Sequence, residues 1–192
     1  KAPQWIMMKA RNTTNNWDCY HVSVGNTKRI KLNSSAAPED YTDPWNDTTP
    51  TSSVFTSTGS WLGGNGTNCV AYCWTEIPGY SKFGGYTGNG SSNGTYVHLG
   101  FRPAFLMVKK TSGANSWVMY DVKRSTTNVI DNYLIAEGTD VDNTNSAVSV
   151  DFLSNGVKFR SGYDIVNAGD YIYMAFAEQP SETIFGLDAN AH

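Results

Sequence analysis

The chain has 192 residues, a formal charge of −3 at pH 7 and a sequence pI near 5.5. That balance offers no basic footprint for capturing nucleic acid or an anionic membrane, and no apolar run approaches the ~20 residues that cross a bilayer. Charged side chains reach only 16% while aromatics reach 13%; against a usual charged fraction of about 25%, solubility rests on Asn, Ser, Thr and Gly.

In chain order, short runs rich in aromatic and β-branched residues, divided by Asn, Gly, Asp and Ser, predict strands at 5–9, 17–22, 54–56, 69–77, 81–87, 95–99, 105–110, 117–121, 133–136, 148–153, 157–160 and 171–178. No stretch carries a helical period with caps. In "LSNGVKF", Asn155 and Gly156 separate two such runs and predict a hairpin. In "YIYMAFAEQ", Tyr171, Tyr173, Ala175 and Ala177 share one face and Ile172, Met174, Phe176 and Glu178 the other, so both faces are largely apolar, as in a central strand.

The chain repeats itself. "PQWIMMKARN" from Pro3 answers "PAFLMVKKTS" from Pro103, "NNWDCYH" from Asn15 answers "NSWVMYD" from Asn115, and "CVAYCWTEIP", closing at Pro78, answers "YIYMAFAEQP", closing at Pro180. Two copies of one unit in tandem follow from this: residues 1–78, 79–180, and a tail, 181–192, that reads as a tether or interface arm. The opening of the second unit, "GYSKFGGYTGNGSSNGTYVHLGFR", has no counterpart before Lys1. The first unit is therefore expected to be incomplete on its N-terminal side, either because the natural protein extends upstream or because a strand from elsewhere fills the gap.

Few motifs point to chemistry. Cys69 and Cys73, four apart in a predicted strand, lie too far apart to bridge, and with Cys19 they lack the paired spacing of a zinc site; buried free thiols are expected. "GNGSSNGTYV" leads from strand to strand and has no Walker lysine, so it reads as a connecting loop with Gly88, Gly90 and Gly94 at positive φ. Asn89 and Asn93 are its candidates for touching a sugar or partner. Glu76 and Glu178 occupy equivalent strand ends and read as structural, not as a hydrolytic pair. His21 and His98 have no triad partners in sequence. "DVDNTNSAVSVD" places Asp140, Asp142 and Asp151 like a calcium loop, but Asn145 stands where glycine belongs and no helices flank it. Asp140 and Asp142 remain candidates for a looser calcium site. Asn-x-Ser/Thr recurs at Asn12, Asn33, Asn46, Asn65, Asn89 and Asn93, as a chain this rich in those residues produces largely by chance.

Repeat partners sort the aromatics. Trp5 matches Phe105, Trp17 matches Trp117, Tyr20 matches Tyr120, Trp74 matches Phe176, and Trp61 falls near Tyr163, which points to shared architecture. Trp45, in "YTDPWNDTTP", has no aromatic counterpart. It and Tyr41 are the candidates for a contact surface that grips sugar rings, with packing over a sandwich end as the rival role for Trp45.

The segments "GFRPAFLMVK", "SWVMYD", "LSNG" and "YIYMAFAE" together resemble a repeated β domain of tailed-bacteriophage structural proteins, and the likeness covers nearly the whole chain up to Pro180. "LSNG" and the closing strand also resemble those of concanavalin-type jelly rolls. The resemblance implies a virion component, a tail fibre or appendage module serving host attachment, with no catalytic residues to carry over.

The expectation is thus an all-β protein of two tandem jelly-roll or concanavalin-like β-sandwich units, the first truncated at its N-terminal side. It is expected to be non-enzymatic, with no cofactor and no nucleic-acid or membrane partner. It would be located in the virion and assembled with itself, as a trimer if it belongs to a fibre, and with other virion proteins, with host surface polysaccharide as a further partner. A carbohydrate-binding adhesin and a capsid decoration or filament subunit are the alternatives.

Overall fold

The computed structural model describes residues 1–41, 45–58, 62 and 66–179. Its first half holds β1 (Trp5–Ala10), β2 (Asp18–His21), β3 (Lys28–Lys31), β4 (Glu39–Asp40) and β5 (Cys69–Trp74). The second holds β6 (Ser81–Asn89), β7 (Tyr96–His98), β8 (Phe105–Lys110), β9 (Trp117–Asp121), β10 (Asn132–Ile135), β11 (Asn143–Thr144), β12 (Val150–Leu153), β13 (Gly156–Phe159) and β14 (Ala168–Phe176). One short 3-10 turn, Ser146–Val148, is the only helical element among the described residues.

All pairings are antiparallel and build a five-stranded sheet, β4-β3-β2-β1-β5, a six-stranded sheet, β11-β10-β9-β8-β14-β6, and a three-stranded sheet, β12-β13-β7. The first two share one strand order, β1 to β5 standing where β8 to β11 and β14 stand, and the register agrees: Trp5 faces Trp74 as Phe105 faces Phe176. The six-stranded sheet adds β6 along the outer edge of β14. β6 comes from the opening segment that has no counterpart in the first half.

Alternation along the strands makes layers of these sheets. Leu106, Val108, Val118, Tyr120, Tyr173 and Ala175 face the three-stranded sheet and pack on Val150, Phe152, Val157 and Phe159. The opposite face carries Phe83, Met107, Trp117, Ile172 and Met174, and these pack on Trp5, Cys19 and Ile30 of the five-stranded sheet. β14 is therefore covered on both faces, with the division of side chains that its alternation predicts. Polar bonds cross the same seam. Trp117 Nε1 donates to the Lys31 carbonyl at 3.0 Å, Lys109 Nζ to the Ser35 carbonyl at 3.2 Å, and His21 Nε2 lies 3.2 Å from the Tyr173 carbonyl.

The expected all-β sandwich is present, but its layers are shared. The second half forms a sandwich of its own; the first half forms a single sheet. One face of that sheet rests on the central sheet, and the other, with Ile6, Met8, Ala10 and Tyr20, is covered by Trp45, Phe55 and Leu62 from the coil after β4. The strand expected at 54–56 is that coil, and Phe55 serves it as a packing residue. The hairpin at "LSNG" forms one residue earlier than expected: Leu153 pairs with Gly156, leaving Ser154 and Asn155 as the turn. Gly156 is glycine for another reason, since a Cβ there would sit 2.2 Å from the Val97 carbonyl oxygen of β7.

Candidate functional site

Of the candidate contact residues, Trp45 and Tyr41 are engaged within the fold, while Asn89 and Asn93 are exposed in the glycine-rich loop. Trp45 is fully buried and meets Tyr20 edge-on at 5.7 Å, so the contact-surface role is corrected to the packing one. Tyr41 is half-buried and carries the Arg29 guanidinium 4.1 Å over its ring. Asn89 accepts from Ser91 N at 3.1 Å and from Asn167 Nδ2 at 2.9 Å, and donates to the Asn93 carbonyl at 3.0 Å. Asn167, fully buried, also donates to the Ser91 and Ser161 carbonyls and accepts from Thr95 N. This one amide organises the glycine-rich loop, and no sequence motif marks it. Of the three glycines, Gly90 alone takes positive φ, +66°. Gly88 and Gly94 are required by close approach, since a Cβ would lie 2.2 Å from the Asn167 carbonyl carbon or 2.6 Å from the Phe159 carbonyl oxygen. The loop is a tied connector.

The carboxylates of the calcium-like segment diverge. Asp140 is exposed, Asp142 pairs with Arg124, and Asp151 pairs with Arg160 at 2.5 Å. No group of three or more metal-ligating side chains occurs among the described residues. Glu178 pairs with Lys123 at 2.6 Å, which holds its carboxyl below the usual range, while the backbone N of Glu76 donates to Gln4 Oε1. The cysteines are free, but only Cys19 is buried; Cys69 is intermediate and Cys73 exposed, so the expectation of three buried thiols is corrected. Trp61, Asn65 and the tail 181–192 lie outside the described residues.

One accessible feature is the outer edge of β5. Its inner edge pairs with β1 from Trp5–Trp74 to Ala10–Cys69, while its outer edge has no strand partner among the described residues. Proteins usually blunt such an edge with charge, proline or brevity. At the opposite end of the same sheet β4 is two residues long and acidic. β5 has none of these features: six residues, "CVAYCW", uncharged and without proline. From its edge an aromatic row runs inward across one face of the sheet, Trp74 stacked on Tyr72 at 6.1 Å and Tyr72 on Trp17, beside β2, at 6.4 Å, with Tyr72 47% exposed. The repeat equivalents of Trp17 and Tyr72, Trp117 and Met174, are buried. Matching aromatics across the repeat therefore missed this row, because it compares residue types and not what covers them.

A second feature is a polar hollow lined by Thr14, Asn15, Asn16, Asp18, Arg29 and Asn33. Asp18 is only 2% exposed, and its Oδ1 has no hydrogen-bond partner among the described residues. Burial raises its pKa, while Arg29 and Lys31 pull it down. Its lining amides, guanidinium and carboxylate are groups that exchange hydrogen bonds with hydroxyls.

Residues 1–180 match a protein family described as a domain of unknown function (DUF7483). No curated protein and no solved structure matches the chain.

Proposed function

We start from the fact that the chain belongs to the DUF7483 family and propose that it is a non-enzymatic structural module of a tailed-bacteriophage virion, placed in a tail fibre or appendage that serves host attachment. The observation that carries this reading is the uncharged, aromatic-backed edge of β5. An exposed strand edge of this kind is an assembly surface, because a neighbouring strand supplies its missing backbone partners. The resemblance of "GFRPAFLMVK", "SWVMYD" and "YIYMAFAE" to virion β domains supports the same reading.

Gold-labelled antibody against the chain, applied to intact virions that carry its gene, tests the proposal. Label on the tail or its appendages is expected. Label on the head would move the protein to capsid decoration, and chain found only free in the lysate would overturn the virion assignment.

The polar hollow favours a second reading, a lectin-like adhesin that binds host polysaccharide through Asp18, Asn16 and Asn33. Binding on a glycan array that is lost in Asp18→Ala and kept in Asn93→Ala supports it; no binding by the parent chain sinks it.

A further inference from the structure

We propose that the outer edge of β5 takes residues 183–187 of a second copy of this chain as an added antiparallel strand, joining copies head to tail. The inference deepens the assembly reading above and rests on it.

The repeat supplies the template. β14, the counterpart of β5, carries β6 along its outer edge with Ser81 opposite Phe176, Phe83 opposite Met174 and Gly84 opposite Tyr173. Two features of β6 make that pairing. Phe83 packs edge-on against Phe176 at 5.7 Å, and Gly84 leaves room for the Tyr173 ring, whose hydroxyl would lie 2.7 Å from a Cβ. In sequence this is Ser-x-Phe-Gly, beginning three residues after Pro78. The chain contains the pattern again: "SETIFGLD" follows Pro180, placing Thr183-x-Phe185-Gly186 at the same distance from the proline.

Connectivity says where such a strand goes. The segment after Pro78 leaves the five-stranded sheet, passes Tyr80, whose carbonyl accepts from Ala177 N at 2.7 Å, and pairs with the edge of the following sheet, not with β5 of its own. By the same route the segment after Pro180 is delivered to a following sheet. Among the described residues the equivalent edge left open is β5, and for a strand leaving the second half the following sheet is that of another copy.

The shared register then fixes the pairing: Thr183 opposite Trp74, Ile184 opposite Cys73, Phe185 opposite Tyr72, Gly186 opposite Ala71 and Leu187 opposite Val70. Phe185 arrives beside Tyr72 on the same face and covers its half-open ring. Ala71 is small and clears any neighbour. Such a contact joins two different patches, so it propagates into rings or filaments and does not close as a two-fold dimer.

Two full-length variants test this. Phe185→Asp keeps an open edge with a disabled tail, and Tyr72→Asp keeps a working tail with a disabled edge. Sedimentation velocity should show concentration-dependent oligomers for the parent chain, monomers for each variant alone, and one-to-one dimers with nothing larger when the two are mixed. Circular dichroism and melting curves for each variant confirm that it folds. Ile184→Cys, oxidised, should form a disulfide with Cys73 that doubles the mass and is lost in Cys73→Ser. A parent chain that stays monomeric at every concentration, a mixture that forms no dimer, or a disulfide formed at monomer mass would each overturn the proposal. Particle labelling reads location and sedimentation reads self-association, so the virion reading and this one fail separately.

Discussion

The six-stranded and five-stranded sheets run equivalent strands in the same order, yet the first carries β6 along β14 while, among the described residues, the second has no strand along the outer edge of β5. Trp117 and Trp17 are the same residue at equivalent places. One is fully buried under the neighbouring sheet, with its indole N–H on the Lys31 carbonyl; the other is half-exposed and stacks on Tyr72. A repeat thus preserves strand pairing, while burial is decided by whichever layer each copy meets.

The sharpest test of that difference substitutes both tryptophans. Trp117→Ala empties a closed seam and strips the Lys31 carbonyl of its donor, and should cost about 3–5 kcal/mol of unfolding free energy. Trp17→Ala loses one partly solvated stack, worth about 1 kcal/mol. Urea unfolding of the two variants beside the parent measures both. Equal losses would mean that the two sheets are equally covered, and the contrast would collapse.

The next effect comes from the seam between the sheets. His21 is buried there, its Nδ1 accepting from Ser23 N at 3.1 Å, which leaves Nε2 as the donor to the Tyr173 carbonyl. Burial lowers its pKa to about 4, below the ~6.5 of an unfolded histidine. Between those values the unfolded chain binds more protons, so stability is full above pH 6.5 and falls as pH drops toward 4. The loss is about 3 kcal/mol at ~1.4 kcal/mol per unit. Asp18, whose pKa burial raises, works against it by taking a proton more readily when folded. His21→Gln keeps an amide donor and removes the imidazole. The difference between the pH profiles of variant and parent, by denaturant midpoints, isolates the histidine, and profiles that run parallel would show that it does not sense the seam.

How far this was legible follows the same division. β1, β8, β9 and β14 could be read from sequence because layers pack on both of their faces, so their apolar and aromatic residues form nearly unbroken runs. β3, "KRIK", could not: one buried Ile30 sits among three cations, and the strand is held by its ladder to β2 and by pairs such as Lys28–Asp40 at 2.6 Å and Arg29–Glu39 at 2.8 Å. β4 and β11 are too short to carry a period. The open edge of β5 was hidden for a different reason. An edge is a property of strand order, and residues 69–74 read the same whether or not a neighbour lies beside them.

The smallest effects belong to β6 and its loop, the element one sheet has and the other lacks. Gly88→Ala would drive a methyl into the Asn167 backbone, forcing β6 off the turn that Asn167 organises, at a cost of about 2 kcal/mol. Gly90→Ala meets no atom within 4 Å and is penalised only for its φ of +66°, about 1 kcal/mol. Gly90→Asn should cost less still, because asparagine tolerates that region. If the loop were a ligand cradle shaped by backbone freedom, Gly90 would be the sensitive position and Gly88 the tolerant one. Thermal melts of the three variants decide between the orders, and the close approach of β6 to Asn167 predicts Gly88 first, Gly90→Ala second and Gly90→Asn last.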